Sequence, residues 1–158
     1  MQRKQHQKWI SATKVLLAVL FLVCGCCIYL FFRSKNLNIY QWSVSLGISD
    51  IVDSCRRYVQ DYSIPDFVRF SLPDGLYCAA YILLMDVIWS KEKCFAKYFI
   101  MSLVPVITIA SEFLQYVGLL RGTFDALDLV CYTTPPLVYS GILITNQFMY
   151  NKLKTKDL

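Results

Sequence analysis

Four long apolar stretches, separated by polar segments, set the pattern of this chain. They cover residues 15–32, 73–89, 98–120 and 126–150. The first carries no charged residue, and each of the others carries only one or two. An α-helix rises about 1.5 Å per residue, so each stretch can cross the roughly 30 Å hydrocarbon core of a membrane, the second only marginally. The pattern predicts an all-α protein, a bundle of four transmembrane helices.

A longer polar segment, residues 33–72, separates the first two spans. Within residues 45–62 the apolar side chains recur at helical spacing, and most of the charged ones fall on the opposite face. This spacing predicts an outer amphipathic helix between the first and second spans. Two placements stay open: along the outer membrane surface with aromatic side chains at headgroup depth, or against the bundle.

Composition supports a membrane protein and argues against a nucleic-acid partner. The chain is 56% hydrophobic and 17% charged, a balance that a water-exposed surface rarely tolerates. Its formal charge is +5, but the basic residues are not gathered on one face or in a stripe with aromatic residues. The partners predicted are membrane lipids and a small-molecule or lipid-linked ligand.

The basic residues lie instead at the ends of the predicted spans. They concentrate in the leader (1–14), the loop between the second and third spans (90–97) and the tail (151–158). With four spans these segments share one side, which the positive-inside rule makes cytoplasmic. We therefore expect a basic cytoplasmic leader, a single membrane domain over 15–158, and a plasma-membrane protein with both termini in the cytoplasm.

Seven cysteines suggest a disulfide framework until they are placed on this topology. Five fall within spans and Cys94 falls in the cytoplasmic loop, so Cys55 alone is expected outside, as a buried or free thiol. The leader and the stretch ending at Cys26 also resemble a lipoprotein signal loosely. The apolar run continues to Arg33, which favours an uncleaved span.

Several residues inside the spans require compensation. Pro105, Pro135 and Pro136 remove backbone hydrogen bonds from the third and fourth spans. Membrane helices tolerate this loss where neighbouring helices, threonine side chains or water compensate, and Thr108, Thr133 and Thr134 are placed to help. Asp86 lies near the cytoplasmic end of the second span, where an ion pair with Lys91 or Lys93 is expected.

A group of polar residues lies at the outer ends of three spans. At helical rise, Glu112 lies about 22 Å above Lys97, in the outer half of the membrane. An ionised carboxylate facing lipid costs several kcal/mol, so these groups are expected to face the bundle and share one ligand-binding site. Its predicted members are Asp74, Glu112, Gln115, Arg121, Asp125 and Asp128.

Several interpretations of this site stay open. In a binding site, Arg121 holds a phosphate or carboxylate while the acids accept amine or hydroxyl groups. In a structural polar knot, Arg121 is their counter-ion and Asp125 caps a helix. A divalent cation at Glu112, Asp125 and Asp128 would instead serve a membrane hydrolase or transferase, and Glu112 alone a cation-coupled permease. No nucleophile with its base is present, which favours a non-enzyme without cofactors.

The same residues resemble a family of small membrane proteins. Glu112-x-x-Gln115, then Arg121 and Phe124-Asp125-x-x-Asp128, with Asp74 earlier, is similar to the pattern of the VanZ-like family. The family is named for a teicoplanin-resistance protein of Gram-positive bacteria. The resemblance implies a cell-envelope role and lowered antibiotic sensitivity. Many members have a histidine shortly after the first acid, whereas the sole histidine here is His6.

Overall fold

The computed structural model describes residues 2–59, 61–92 and 94–154, and all regular structure within these ranges is helical, so the all-α prediction is confirmed there. The helices, in order, are α1 (Gln2–Phe32), α2 (Asn38–Ser45), α3 (Ser49–Val59), α4 (Asp66–Phe70), α5 (Leu72–Ile88), α6 (Phe95–Tyr116) and α7 (Ala126–Lys154).

Three of these helices are long and apolar enough to cross a membrane. Over the described residues they cover Gln5–Phe32 in α1, Phe95–Tyr116 in α6 and Ala126–Met149 in α7. The helix at the remaining predicted span, α5, has 17 residues, a rise of about 26 Å. The membrane character of the chain is therefore supported by three spans, and the fourth span stays a prediction.

The shortest of the four long helices, α5, occupies the centre of the bundle. It packs against α1 on one side and against α6 and α7 on the other. Cys78 and Ile82 of α5 are buried together with Met101 of α6. Tyr29, late in α1, bonds Asp74 at the start of α5, and Lys14, early in α1, bonds Asp86 near the end of α5. The two helices therefore run antiparallel.

Small side chains and prolines bring α5 and α7 close together. A Cβ atom on Gly75 would lie 3.1 Å from the Cβ of Cys131 and 3.2 Å from its carbonyl oxygen. Pro136 leaves the Tyr132 carbonyl without its helical donor, and the Cys78 thiol donates to that oxygen over 3.7 Å. Helix α7 thus continues through both prolines while its exposed carbonyl is satisfied by α5.

Of the sources of compensation considered, a neighbouring helix and not Thr133 or Thr134 acts at Pro136. Thr133 donates to the carbonyls of Leu129 and Val130, and Thr134 also donates to Val130. These carbonyls lie one turn before the threonines and are not the ones freed by the prolines. The compensating donor comes from another helix, because side-chain back-bonding in a helix reaches only the preceding turn.

Helix α6 ends at Tyr116, four residues before the predicted boundary. Gly118 has a φ of 76°, a left-handed conformation that favours glycine. Its N–H bonds the Gln115 carbonyl, and the Leu119 N–H bonds the Leu114 carbonyl. These are the two bonds of a Schellman motif, which ends a helix. Gly118 therefore ends α6, and the last apolar residues of the predicted span lie in the loop that follows.

The polar segment after α1 folds into three short helices, α2, α3 and α4, and covers the end of α1. A helix leaves its last carbonyls without donors, and here arginines supply them. Arg56 of α3 donates to the carbonyls of Leu30 at 2.5 Å and Arg33 at 2.8 Å, and Arg69 of α4 donates to Phe32 at 2.6 Å. Positive charge near a helix C-terminus also interacts favourably with the helix dipole. The segment is thus attached to the bundle by charge-assisted bonds.

The amphipathic helix predicted within residues 45–62 is α3, and it packs on α1. Val52 is buried, whereas Trp42, Leu46 and Ile51 are exposed. Lys35 binds the Asp53 carboxylate at 2.8 Å and holds its pKa below the usual value of 3.8. Packing on the bundle is therefore observed, and contact of the exposed apolar residues with the membrane surface stays a prediction.

Replacing Arg56 with lysine should weaken the last turn of α1. A lysine ammonium cannot form the two-armed contact of the guanidinium, and a lost hydrogen bond of a charged group costs about 2 kcal/mol. Hydrogen exchange of the amides at the end of α1 should accelerate accordingly. Arg57→Lys is the matched control, because Arg57 is exposed and, among the described residues, donates only to Ser54. Equal exchange in the two variants would contradict the capping role.

Candidate functional site

The C-terminal end of α1 and the N-terminal ends of α5 and α7 meet near the carboxylate of Asp74. It lies in the first turn of α5 and accepts the Tyr29 hydroxyl at 2.8 Å. Tyr132, nearly two turns into α7, lies within electrostatic range of it. The Tyr29 hydroxyl therefore orients this carboxylate, which keeps acceptor capacity for a further donor.

Glu112 and Asp125 join the C-terminal end of α6 to the N-terminal end of α7. Glu112 is only 4% exposed, and one carboxylate oxygen accepts the Asp125 N–H at 3.3 Å. The Asp125 carboxylate accepts the Leu127 N–H at 2.8 Å, as a helix N-cap does. The capping role considered for Asp125 is therefore observed, and Glu112 faces protein instead of lipid.

Asp128 completes the group of acids. Its Oδ1 atom is buried and has no hydrogen-bond partner among the described residues. Glu112 lies within electrostatic range of Asp74, Asp125 and Asp128, and Asp74 lies within range of Asp128. The structure thus brings four of the six predicted residues together. We call Asp74, Glu112, Asp125 and Asp128 the acid cluster.

The structure shows no hydrogen bond between the acid cluster and the side chains of the other two predicted members, Gln115 and Arg121, among the described residues. Gln115 faces Gly122, where an added Cβ would lie 2.8 Å from its side-chain amide. Arg121 is exposed in the loop before α7 and forms no hydrogen bond or ion pair with any described residue. Arg121 is therefore not the counter-ion of the acids in this structure, and a role in binding stays a prediction for both residues.

Three residues near the acids were not predicted. Tyr29 donates its hydroxyl to Asp74, and Tyr132 lies within electrostatic range of it. Arg33 exerts an attractive charge on Asp74 and lies 4.8 Å from the centre of the Tyr29 ring. Arg33 is the first charge after the first span, and Tyr132 lies one turn after Asp128. Those signals were available, but a single sequence does not say which span faces which.

A polar groove opens beside the end of α1. Its volume is about 780 Å³, and both charge signs line it. The cations are Lys35, Arg56, Arg57 and Arg69, and the acids are Asp53, Asp61 and Asp66. Arg56 in the groove wall bonds the Arg33 carbonyl, and the Arg33 side chain contacts Tyr29, which bonds Asp74. The groove and the acid cluster are therefore linked through the end of α1.

A second polar group lies at the opposite end of the bundle. Asp86 binds Lys14 at 2.5 Å, Lys97 at 2.6 Å and the Tyr139 hydroxyl at 2.7 Å. We call these four residues the inner polar cluster. The ion pair expected at Asp86 is confirmed, but with other partners: Lys91 is exposed and does not bind it, and the contact expected with Lys93 lies outside the described residues. The observed partners of Asp86 therefore lie on α1, α6 and α7 and not among its sequence neighbours.

The geometry gives no support to a metal site. Within the ranges that the structure describes, no group of three or more His, Cys, Asp or Glu side chains is arranged to hold a metal ion. The seven cysteines are all free thiols.

Comparisons with models of known families, with curated proteins and with solved structures find no match. The two polar clusters and the grooves are therefore the candidate functional features of the described residues.

Proposed function

We propose that this chain is a four-span membrane protein of the cell envelope that binds a headgroup-like ligand at its outer polar face. Candidate ligands are a lipid headgroup, an envelope precursor or a glycopeptide-type compound. The single observation that carries the proposal is the buried Oδ1 atom of Asp128, which has no donor within the described chain. A buried acceptor without a partner costs free energy that a ligand donor would recover.

The proposed topology places α1, α5, α6 and α7 across the membrane in alternating directions. The antiparallel contacts of α1 with α5 support this order, as does the contact of the inner cluster with the start of α6. The basic leader, loop and tail then face the cytoplasm under the positive-inside rule. A rise of about 26 Å lets α5 span with slight thinning of the bilayer. The acid cluster faces outward.

The proposed ligand carries a positive group, with a phosphate or carboxylate close to it. Four acids near a single arginine, Arg33, leave an excess of negative charge at the cluster. An ammonium group offers the donors that Asp128 lacks. Arg121 is exposed and unengaged among the described residues, so its guanidinium is available to an anionic group of the same ligand. The linked groove of about 780 Å³ has room for the rest of the headgroup.

Membership of the VanZ-like family is part of this proposal. It is supported by the order of the acids along the chain, by their depth, and by the gathering of Asp74, Glu112, Asp125 and Asp128 at one end of the bundle. Lowered sensitivity to glycopeptides would follow if the outer site captures the compound or its target. The mechanism proposed is binding, without a reaction step.

The test measures binding and cell sensitivity with the same variants. Purified protein is titrated with teicoplanin and with phosphatidylethanolamine, and a susceptible Gram-positive host expressing the chain is tested for teicoplanin inhibition. Asp128→Asn should weaken binding of an amine-bearing probe at least about tenfold, because it removes a charge-assisted bond. Its abundance in the membrane should not change.

The matched control is Asp50→Asn, since Asp50 is an exposed aspartate in the first turn of α3. It should bind both probes like the unmodified protein. Loss of membrane abundance in Asp128→Asn, but not in Asp50→Asn, would favour the structural polar knot instead. Failure of the unmodified protein to bind either probe would overturn the ligand proposal.

A further inference from the structure

An apolar groove separates α1 from α7 on the lipid-facing side of α5. The two helices pack on different sides of α5 and have little or no contact with each other over the described residues. The groove has a volume of about 340 Å³. Leu17 and Phe21 line it from α1, Ile82 from α5, and Pro135 and Val138 from α7. Ligand pockets in proteins start at about this size.

The groove ends at the inner polar cluster. Leu17 and Phe21 lie three and seven residues after Lys14, so all three share one face of α1. Ile82 lies four residues before Asp86 on α5. Tyr139 both lines the groove and donates its hydroxyl to Asp86. A chain lying in the groove would therefore have its polar end beside Lys14 and Tyr139.

The inner cluster carries an excess positive charge at that end. Two ammonium groups bind the single carboxylate of Asp86, which leaves a net charge of about +1. The Lys97 residue is 8% exposed, whereas the Lys14 side chain is 36% exposed. One of the three Lys14 donors is used by Asp86, so the remaining donors can meet an anion.

The depth of Lys14 matches a headgroup position. From Lys14 to Arg33, the first charge at the other end of α1, a helix rises about 28 Å, close to the thickness of the hydrocarbon core. A lysine at such a boundary extends its ammonium toward the interface. A lipid phosphate at the same interface lies within its reach.

We propose that this groove holds one acyl chain of an anionic phospholipid whose phosphate contacts Lys14. Charge complementarity selects an anionic headgroup, and the apolar walls accept the chain. The inference needs the protein to lie in a membrane, but it does not depend on the outer acid cluster. The two proposals can therefore fail separately.

The experiment compares two lipids with identical dioleoyl chains, phosphatidylglycerol and phosphatidylcholine. Delipidated protein is titrated with each in detergent, and the bound lipid is counted by native mass spectrometry. Phosphatidylglycerol should bind more tightly. Lys14→Gln should reduce that preference about fivefold, the effect of one basic residue at a lipid surface. Lys97 and Tyr139 still bind Asp86 in this variant, which keeps the fold testable by its melting temperature.

A second pair of variants tests the groove itself. Val138→Trp fills it and should lower binding of both lipids, while Leu137→Trp should have no effect, because Leu137 does not line the groove and is 70% exposed. Equal affinity of the unmodified protein for the two lipids would overturn the proposal. Unchanged lipid binding in Val138→Trp would also overturn it. A Val138→Trp variant that loses a dimer of this chain but keeps its bound lipid would do the same.

Discussion

Replacing Asp86 with asparagine should lower the free energy of unfolding by roughly 3–5 kcal/mol, the range for a buried ion pair that loses one partner. The substitution leaves Lys14 and Lys97 without a counter-charge, and Lys97 is almost fully buried. It also weakens the contact between four helices, since these partners come from α1, α6 and α7 while Asp86 lies on α5. Unfolding with denaturing detergent, followed by circular dichroism, measures the loss.

Glu92→Gln is the matched control, because it removes one acid from the exposed loop that follows α5. It should change stability by less than about 0.5 kcal/mol. The double variant Asp86→Asn with Lys97→Met should be more stable than Asp86→Asn alone, because it removes the buried uncompensated charge. A double variant as unstable as the sum of its single changes would contradict direct coupling of these residues.

Replacing Gly75 with leucine should separate α5 from α7. The added side chain would begin 3.1 Å from the Cys131 Cβ atom and 3.2 Å from the Cys131 carbonyl, so backbone atoms must move. Overpacking of this kind costs about 2–3 kcal/mol. Because Asp74 precedes Gly75 directly and Asp128 lies one turn before Cys131, the change should also weaken probe binding at the acid cluster.

Gly141→Leu is the matched control. Gly141 lies in α7, and no atom lies within 4 Å of a Cβ added there. Alanine, leucine and similar residues favour helices over glycine by up to about 1 kcal/mol, so this variant should be neutral or slightly stabilising. The unfolding free energies of both variants decide the matter. Equal behaviour of Gly75→Leu and Gly141→Leu would mean that α5 and α7 are not closely packed.

Much of the helical fold could be predicted from the apolar pattern. Predicted stretches 15–32, 73–89 and 126–150 lie within or closely match α1, α5 and α7. The end of α6 was missed because the apolar run continues past Gly118, and apolar periodicity does not detect a left-handed residue. Helices α2 and α4 were not predicted either, because their 8 and 5 residues are too few to show a clear helical periodicity.

The acid cluster could be predicted from the sequence only in part. Chain order and helical rise brought Glu112, Asp125 and Asp128 to one depth, because each lies near a predicted helix end. The partners of Asp74 and Asp86 depend instead on which helix packs beside which, and α1 supplies both Tyr29 and Lys14. Arg121 was expected among the acids, but it is exposed in the loop before α7 and forms no ion pair with them in the structure.

The outward position of the acid cluster is tested most directly by thiol labelling. Two proteins are made with every cysteine replaced except Cys55 or Cys94, and intact cells are treated with a membrane-impermeant thiol reagent. Cys55, in α3 of the outer segment, should react in intact cells, whereas Cys94, at the start of α6, should react only after permeabilisation. Labelling of Cys94 but not Cys55 in intact cells would place the acid cluster on the cytoplasmic side and contradict the proposed function.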